Sequence, residues 1–166
     1  AICMTINALG LAKHSVNPRS PFEGEPPDFL SYENDEQMIK KTEQAVKDMV
    51  ARGVDLADIA VVSGRCRARS LLQKNDHIGK YSTQRFTGEY SDAGDPIWTK
   101  GELLVESVFR FKGQSASGIV FSELDFSEMT DSERSKLFVG MTRAHLAVTL
   151  VMSVHAEACF AKLLKW

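Results

Sequence analysis

The chain has 166 residues, 43% of them hydrophobic and 25% charged, with a net charge of −2 at pH 7. That suits one domain with a real core, and it excludes a globally basic nucleic-acid binder: a polyanion would have to be met by a local patch or with a partner domain's help. No apolar run is long enough to span a bilayer and no signal peptide is visible. The three scattered cysteines, Cys3, Cys66 and Cys159, argue against a disulfide framework or a zinc site, so a reducing cytoplasm is the expected compartment.

The chain opens at Ala1 in a helix-like segment, Ile2 to Leu11, and stops at Trp166 just after another, which reads as a fragment of a longer protein. Asn17-Pro18-Arg19-Ser20-Pro21 and Glu25-Pro26-Pro27 hold four of the five prolines, so residues 1–27 form an N-terminal helix and an extended linker ahead of a main domain over 28–166. Asp28 to Tyr32 reads as a short strand. Asn34 then caps the clearest helix, with Gln37 as a loose capping box. Met38, Ile39, Thr42, Ala45, Val46, Met49 and Val50 recur at helical spacing, and Arg52-Gly53 supply the stop.

Ile59-Ala60-Val61-Val62 is a continuous apolar run of the buried parallel kind. Gly64 to Leu72, with Arg65, Arg67 and Arg69, is expected to open a second helix. Tyr81 to Phe86 is a candidate strand, and Gly88 to Gly101 is mostly loop. Leu103 to Val105 and Gly118 to Phe121 are further strands. Asp131 or Ser132 caps a helix that runs to Arg143, a strand starts at Leu146, and Ala156 to Leu164 is a final helix. Strands alternating with helices give an α/β fold, a mostly parallel sheet with helices on both faces.

Three segments carry candidate chemistry. The first is Leu137-Phe138-Val139-Gly140-Met141-Thr142-Arg143-Ala144, where an apolar helix delivers one arginine to a helix-to-strand junction. Arginine offers a permanent charge and a planar fork of donors, which suits a phosphate; the plainer alternative is an arginine that caps helix carbonyls or pairs with Glu133. The second is Glu106-Ser107-Val108-Phe109-Arg110-Phe111-Lys112-Gly113-Gln114, a strand running into a Lys-Gly turn whose backbone N–H groups and lysine suit phosphate oxygens. Strand alternation there puts Ser107, Phe109 and Phe111 on one face and Arg110 and Lys112 on the other. The alternatives are a solvated lysine and core-packed phenylalanines. The third is the strand and basic turn from Ile59 to Arg69, equally readable as a solvated turn or as a nucleic-acid contact.

Ser107–Phe121 followed by Glu133–Val151 resembles motifs V and VI of superfamily 1 helicases of the UvrD/Rep/RecB kind. Motif VI is the more specific match: Phe138 stands for a tyrosine, and Val139, Gly140, Thr142, Arg143 and Ala144 fit directly. Ile59–Arg69 resembles the strand and turn called motif IVa, and Ile2–Leu9 the helix after motif IV. The resemblance implies a C-terminal RecA-like domain, P-loop NTPase-like in fold but without a phosphate loop of its own. Consistent with that, Gly79-Lys80 is followed by Tyr81 and has Lys74 where the first glycine belongs.

It further implies a motor domain of an ATP-dependent DNA helicase. ATP and Mg²⁺ would be held by an N-terminal RecA-like domain absent from this chain, and Arg143 would reach the γ-phosphate as the catalytic arginine. Gly113, Gln114 and Thr142 would join Arg143 at the nucleotide. Ser107, Phe109, Lys112 and Arg65 would meet single-stranded or partly duplex DNA. No metal ligand is expected here; Glu123 and Asp125 only imitate a Mg²⁺-binding strand end. The chain alone is expected not to hydrolyse ATP. Two departures stand out: Phe109 replaces the family histidine, and Gln114-Ser115 replace Leu-Glu, whose glutamate touches the nucleotide sugar. They leave room for an alternative, a catalytically inactive RecA-like interaction or scaffold module.

Overall fold

The computed structural model describes residues 1–18 and 25–164. Arg19, Ser20 and Pro21 of the expected linker, and Trp166, lie outside the described residues. The helices are α1 (Ile2–Ala8), α2 (Asp35–Ala51), α3 (Asp131–Thr142) and α4 (Val154–Leu164). The strands are β1 (Asp28–Tyr32), β2 (Ile59–Ser63), β3 (His77–Ile78), β4 (Tyr81–Tyr90), β5 (Pro96–Trp98), β6 (Leu103–Ser107), β7 (Ala116–Leu124) and β8 (Ala144–Ser153).

The strands form one sheet in the order β1-β8-β7-β2-β6-β4-β3, with β5 paired to β4. Strands β1, β8, β7, β2, β6 and β4 run parallel, and among the described residues only the short β3 and β5 pair antiparallel with β4. Alternation along β2 shows how the sheet is covered. Ala60 and Val62 point into one core with Ile6 of α1, Leu137 and Met141 of α3 and Phe160 of α4. Ile59 and Val61 point into the other, against Met38, Ala45, Val46 and Met49 of α2. A sheet buried on both faces needs such continuous apolar strands, so the expected RecA-like α/β architecture is the one observed.

Helix α2 follows its sequence signals. The Asn34 side chain accepts from the Gln37 amide at 3.0 Å, and Gln37 Oε1 accepts from the Glu33 amide at 3.0 Å. Arg52 ends the helix and Gly53 takes φ 92°.

Four expectations are corrected. Gly64 to Leu71 is a turn rather than a helix, followed by one 3₁₀ turn at Leu72–Lys74, because Ser63, Ser70 and the Leu71 amide all bind the Glu123 carboxylate and hold the segment off a helical path. Gly88 to Gly101 is not mostly loop: β4 continues to Tyr90 and returns through β5 as a hairpin arm. The cap of α3 is Thr130, whose hydroxyl accepts from the Glu133 amide at 3.2 Å, not Asp131 or Ser132. The strand before the Lys-Gly turn ends at Ser107, and this changes where the phenylalanines point.

Candidate nucleotide and nucleic-acid interface

The parallel strands give the sheet two unlike edges. Ser63, Ser107 and Leu124 end strands β2, β6 and β7 at the carboxyl edge. Ala116 and Ala144 pair at the start of β7 and β8, at the amino edge. The two edges are about 25 Å apart, the length of a strand such as β7 at about 3.3 Å per residue. The candidate residues divide between them.

At the amino edge, Arg143 caps α3 and its carbonyl accepts the Ala116 amide at 3.1 Å. This brings the end of α3 beside the chain leaving the Lys-Gly turn. Glu133 pairs with Lys136 at 2.5 Å, not with Arg143. The Nε of Arg143 is buried and has no hydrogen-bond partner. A buried unsatisfied donor on a charged group costs on the order of 1–3 kcal/mol, so this arginine is not explained as a structural ion pair. Thr142 is exposed, and its hydroxyl donates to the Phe138 carbonyl at 2.7 Å. On the crossing between the two edges, just after Lys112, Gly113 takes φ 85° with open space where a Cβ would project. Gln114 is exposed, but its Nε2 donates to the Arg110 carbonyl at 3.5 Å, turned back onto its own loop.

At the carboxyl edge, β6 stops and residues 107–111 close a helical turn, in which the Ser107 carbonyl accepts from the Arg110 and Phe111 amides at 3.1 and 2.9 Å. A turn advances about 100° per residue rather than 180°. Phe109 and Phe111 therefore part company: Phe109 is 51% exposed, while Phe111 is 1% exposed in the core with Leu137 and Met141. The expected shared face for Ser107, Phe109 and Phe111 is thus replaced by a split. Ser107 is 2% exposed, so its hydroxyl presents almost no surface. Lys112 is exposed beyond the turn.

Two adjoining cavities open around Phe109. The larger, about 460 Å³, is lined by Gly64, Arg65, Arg69, Phe109, Glu133 and Lys136, among others. The smaller, about 290 Å³, lies between Phe109, Lys112 and the α3 residues Ser132, Ser135, Lys136 and Val139. Arg65, Phe109 and Lys112 are brought together around this groove, with Arg69 and Lys136 added. Lys136 escaped sequence reasoning. The signal that finds it is helical spacing: Ser132, Lys136, Val139 and Arg143 recur at i, i+4, i+7 and i+11 on one face of α3.

Glu123 forms part of the wall of the larger cavity with Asp125, yet it is only 1% exposed at the end of β7, where the register with β8 shifts. Its φ is 56°, the one non-glycine positive φ among the described residues. Backbone of that kind costs on the order of 1–3 kcal/mol. The carboxylate accepts from Ser63 Oγ and Ser70 Oγ at 2.5 Å each and from the Leu71 amide at 2.7 Å, and Arg65 Nη1 lies 3.7 Å away. Hydrogen bonds to a charged group contribute about 1.5–3 kcal/mol apiece, so three of them outweigh the strain. These donors occupy the carboxylate, which is built as an internal anchor rather than as a metal ligand. Among the described residues no group of three His, Cys, Asp or Glu side chains is placed to hold a metal.

The hairpin arm also reaches this edge. The Phe86 ring lies under the Arg110 guanidinium at 3.8 Å and near that of Arg67 at 5.8 Å. Arg110 in turn meets the buried Glu106 carboxylate at 3.3 Å. No helix among the described residues is long and apolar enough to cross a membrane.

Residues 102–151 match the family described as the UvrD-like helicase C-terminal domain. That segment contains the Lys112-Gly113 turn, α3 and Arg143. Among solved structures, the C-terminal domain of a possible DNA helicase from Lactobacillus plantarum WCFS1 is similar, with a TM-score of 0.54 and 15% identity over 79% of this chain and 76% of that one. At that identity the likeness is one of fold. No curated protein matches the chain. Both findings agree with the resemblance read from the motifs: residues 102–151 are similar to UvrD-like helicase C-terminal domains, and the fold is that of a helicase C-terminal domain.

Proposed function

We propose that this chain is a UvrD-like helicase C-terminal domain and the second motor domain of an ATP-dependent, superfamily 1 DNA helicase. In this reading an N-terminal RecA-like domain of the same protein binds ATP and Mg²⁺, and the amino edge of the present sheet closes on that nucleotide. Arg143 engages the γ-phosphate and offsets charge that builds during phosphoryl transfer. Thr142 precedes the arginine on α3, and Gly113 and Gln114 approach the nucleotide from the crossing that leads to Ala116. At the other edge, Arg65 and Lys112 hold phosphates of a single strand while Phe109 stacks on a base. Closure on ATP at one edge then moves a DNA grip at the other, as one rigid sheet.

The observation that carries the reading is Arg143 itself: a guanidinium seated at the end of α3, with its Nε buried and without a partner. An incomplete donor set at a domain edge is suited to a ligand brought by another domain. The test is ATP turnover by this chain alone and joined to its N-terminal domain, each with and without single-stranded DNA. The joined protein is expected to turn over ATP with DNA stimulation, and the chain alone to be inactive. Robust turnover by the isolated chain would overturn the reading.

A second reading rests on Gln114, whose side chain is folded back onto the Arg110 carbonyl instead of being displayed at the edge. It is the inactive scaffold module, and a joined protein without ATP turnover would favour it.

A further inference from the structure

Glu123 is placed where it can govern the arginine turn without touching a ligand. It ends β7, and β7 lies next to β2, whose last residue leads into that turn. Three separate points of the Ser63-to-Leu71 segment converge on its carboxylate: the hydroxyls of Ser63 and Ser70 and the amide of Leu71. Ser63 extends the hold by one bond, because its Oγ also accepts the Arg65 amide at 3.0 Å. The Arg65 guanidinium lies 3.7 Å from the same carboxylate. Gly64 completes the fit. Its amide donates to the Ser122 carbonyl at 2.9 Å, and a Cβ there would stand 3.2 Å from the Glu123 carbonyl oxygen.

We propose that Glu123 is a positioning residue for the nucleic-acid grip. It clamps the 63–71 segment in its non-helical path, so that Arg65 and Arg69 line the carboxyl-edge groove beside Phe109. The inference rests on reading that groove as a single-strand contact, and it adds the residue that sets the groove's basic wall. Glu123 does not touch the strand; it acts through Ser63, Ser70 and Arg65. A carboxylate is needed because one group must accept from three donors and also attract a guanidinium, which a neutral amide does less well. A charge-neutralising change therefore loosens the turn while keeping side-chain length.

The test is fluorescence anisotropy of the 166-residue chain with a labelled oligothymidylate, titrated at several salt concentrations. Arg65→Ala is expected to lower the magnitude of the log K against log salt slope by about 0.7, one phosphate contact on a single strand. Glu123→Gln is expected to reproduce that lower slope and to weaken binding about tenfold. The double variant is expected to bind no more weakly than either single one, whereas Glu123→Gln combined with Lys112→Ala should add.

Ser70→Ala removes one donor only and is expected to shift affinity the same way by less; it keeps the question open to measurement if Glu123→Gln does not fold. Wild-type affinity and slope in a folded Glu123→Gln chain, or tighter binding, would overturn the positioning role while leaving the single-strand contact intact. No salt-dependent binding by the wild-type chain would overturn the contact reading and the inference with it. A folded Glu123→Gln chain that binds more weakly with an unchanged slope, and adds to Arg65→Ala, would reduce Glu123 to a structural residue.

Discussion

The carbonyl of Arg143 accepts the amide of Ala116 at 3.1 Å. One hydrogen bond thus joins the end of the arginine-bearing helix to the start of the strand that follows the Lys-Gly turn. The arginine's backbone is fastened, yet its Nε is buried without a partner. In the intact protein Arg143→Ala is expected to lower ATP turnover by about 10³–10⁵-fold, the scale of a lost arginine finger, and Arg143→Lys should restore little of it. Because no ion pair is broken and a buried unpartnered donor is removed, the variant should be no less stable than wild type. Steady-state ATPase assays and urea unfolding check the two halves.

Phe109 and Phe111 are two residues apart and are expected to fail differently. Phe111→Ala opens a cavity in a fully buried site and should cost about 3–5 kcal/mol of stability. Phe109→Ala removes an exposed ring, so stability should hardly change, while single-strand affinity falls by about 1–3 kcal/mol if a base stacks there. Urea melts and oligonucleotide titrations of both variants separate the roles. Equal stability losses would refute the split.

Gly113 holds φ 85° with nothing within 4 Å of a prospective Cβ. Gly113→Ala therefore brings backbone strain without a clash, and about 1–2 kcal/mol of destabilisation is expected. Gly113→Asn should cost less, since asparagine tolerates left-handed backbone better. Urea midpoints check the order.

Tyr32 supplies a pH dependence. Its hydroxyl donates to the Leu124 carbonyl at 3.2 Å. Burial pushes its pKa well above the usual phenol value; Arg65 opposes the shift, and Asp125, Glu123 and Asp35 add to it. The folded state thus favours the neutral phenol. The contribution is fully present below the unfolded pKa of about 10, and it is lost as pH rises from there toward the raised folded value, at up to about 1.4 kcal/mol per pH unit. Tyr32→Phe should flatten that alkaline loss. Unfolding midpoints between neutral pH and about pH 11 check it.

Much of the fold was legible because local rules and tertiary packing agree. The α2 stripe from Met38 to Met49 faces one core, as its spacing requires, and Asn34 caps it. The apolar runs at Ile59 and Gly118 are central strands because only a doubly covered sheet can bury them. The motif VI match was legible for a similar reason: Thr142-Arg143-Ala144 is a contiguous string, and the chain's local order carries it intact.

The rest depended on contacts distant in sequence. Gly64 to Leu72 carries helix-compatible residues, but Glu123, more than fifty positions away, claims its hydroxyls and an amide. Period-two alternation past Ser107 failed because the strand stops there and a turn begins, which exposes Phe109 and buries Phe111. A hairpin arm at Gly88 to Trp98 hid under glycine, aspartate and proline, whose turn signals do not tell a loop from a hairpin.

The sequence alone determined which residues could meet phosphate, since charge, hydroxyl and glycine chemistry belong to the residue type. Only the tertiary structure decided which of them share an edge. A parallel sheet sends Arg143 to one end of its strands and Arg65, Phe109 and Lys112 toward the other, and no spacing along the chain states that separation.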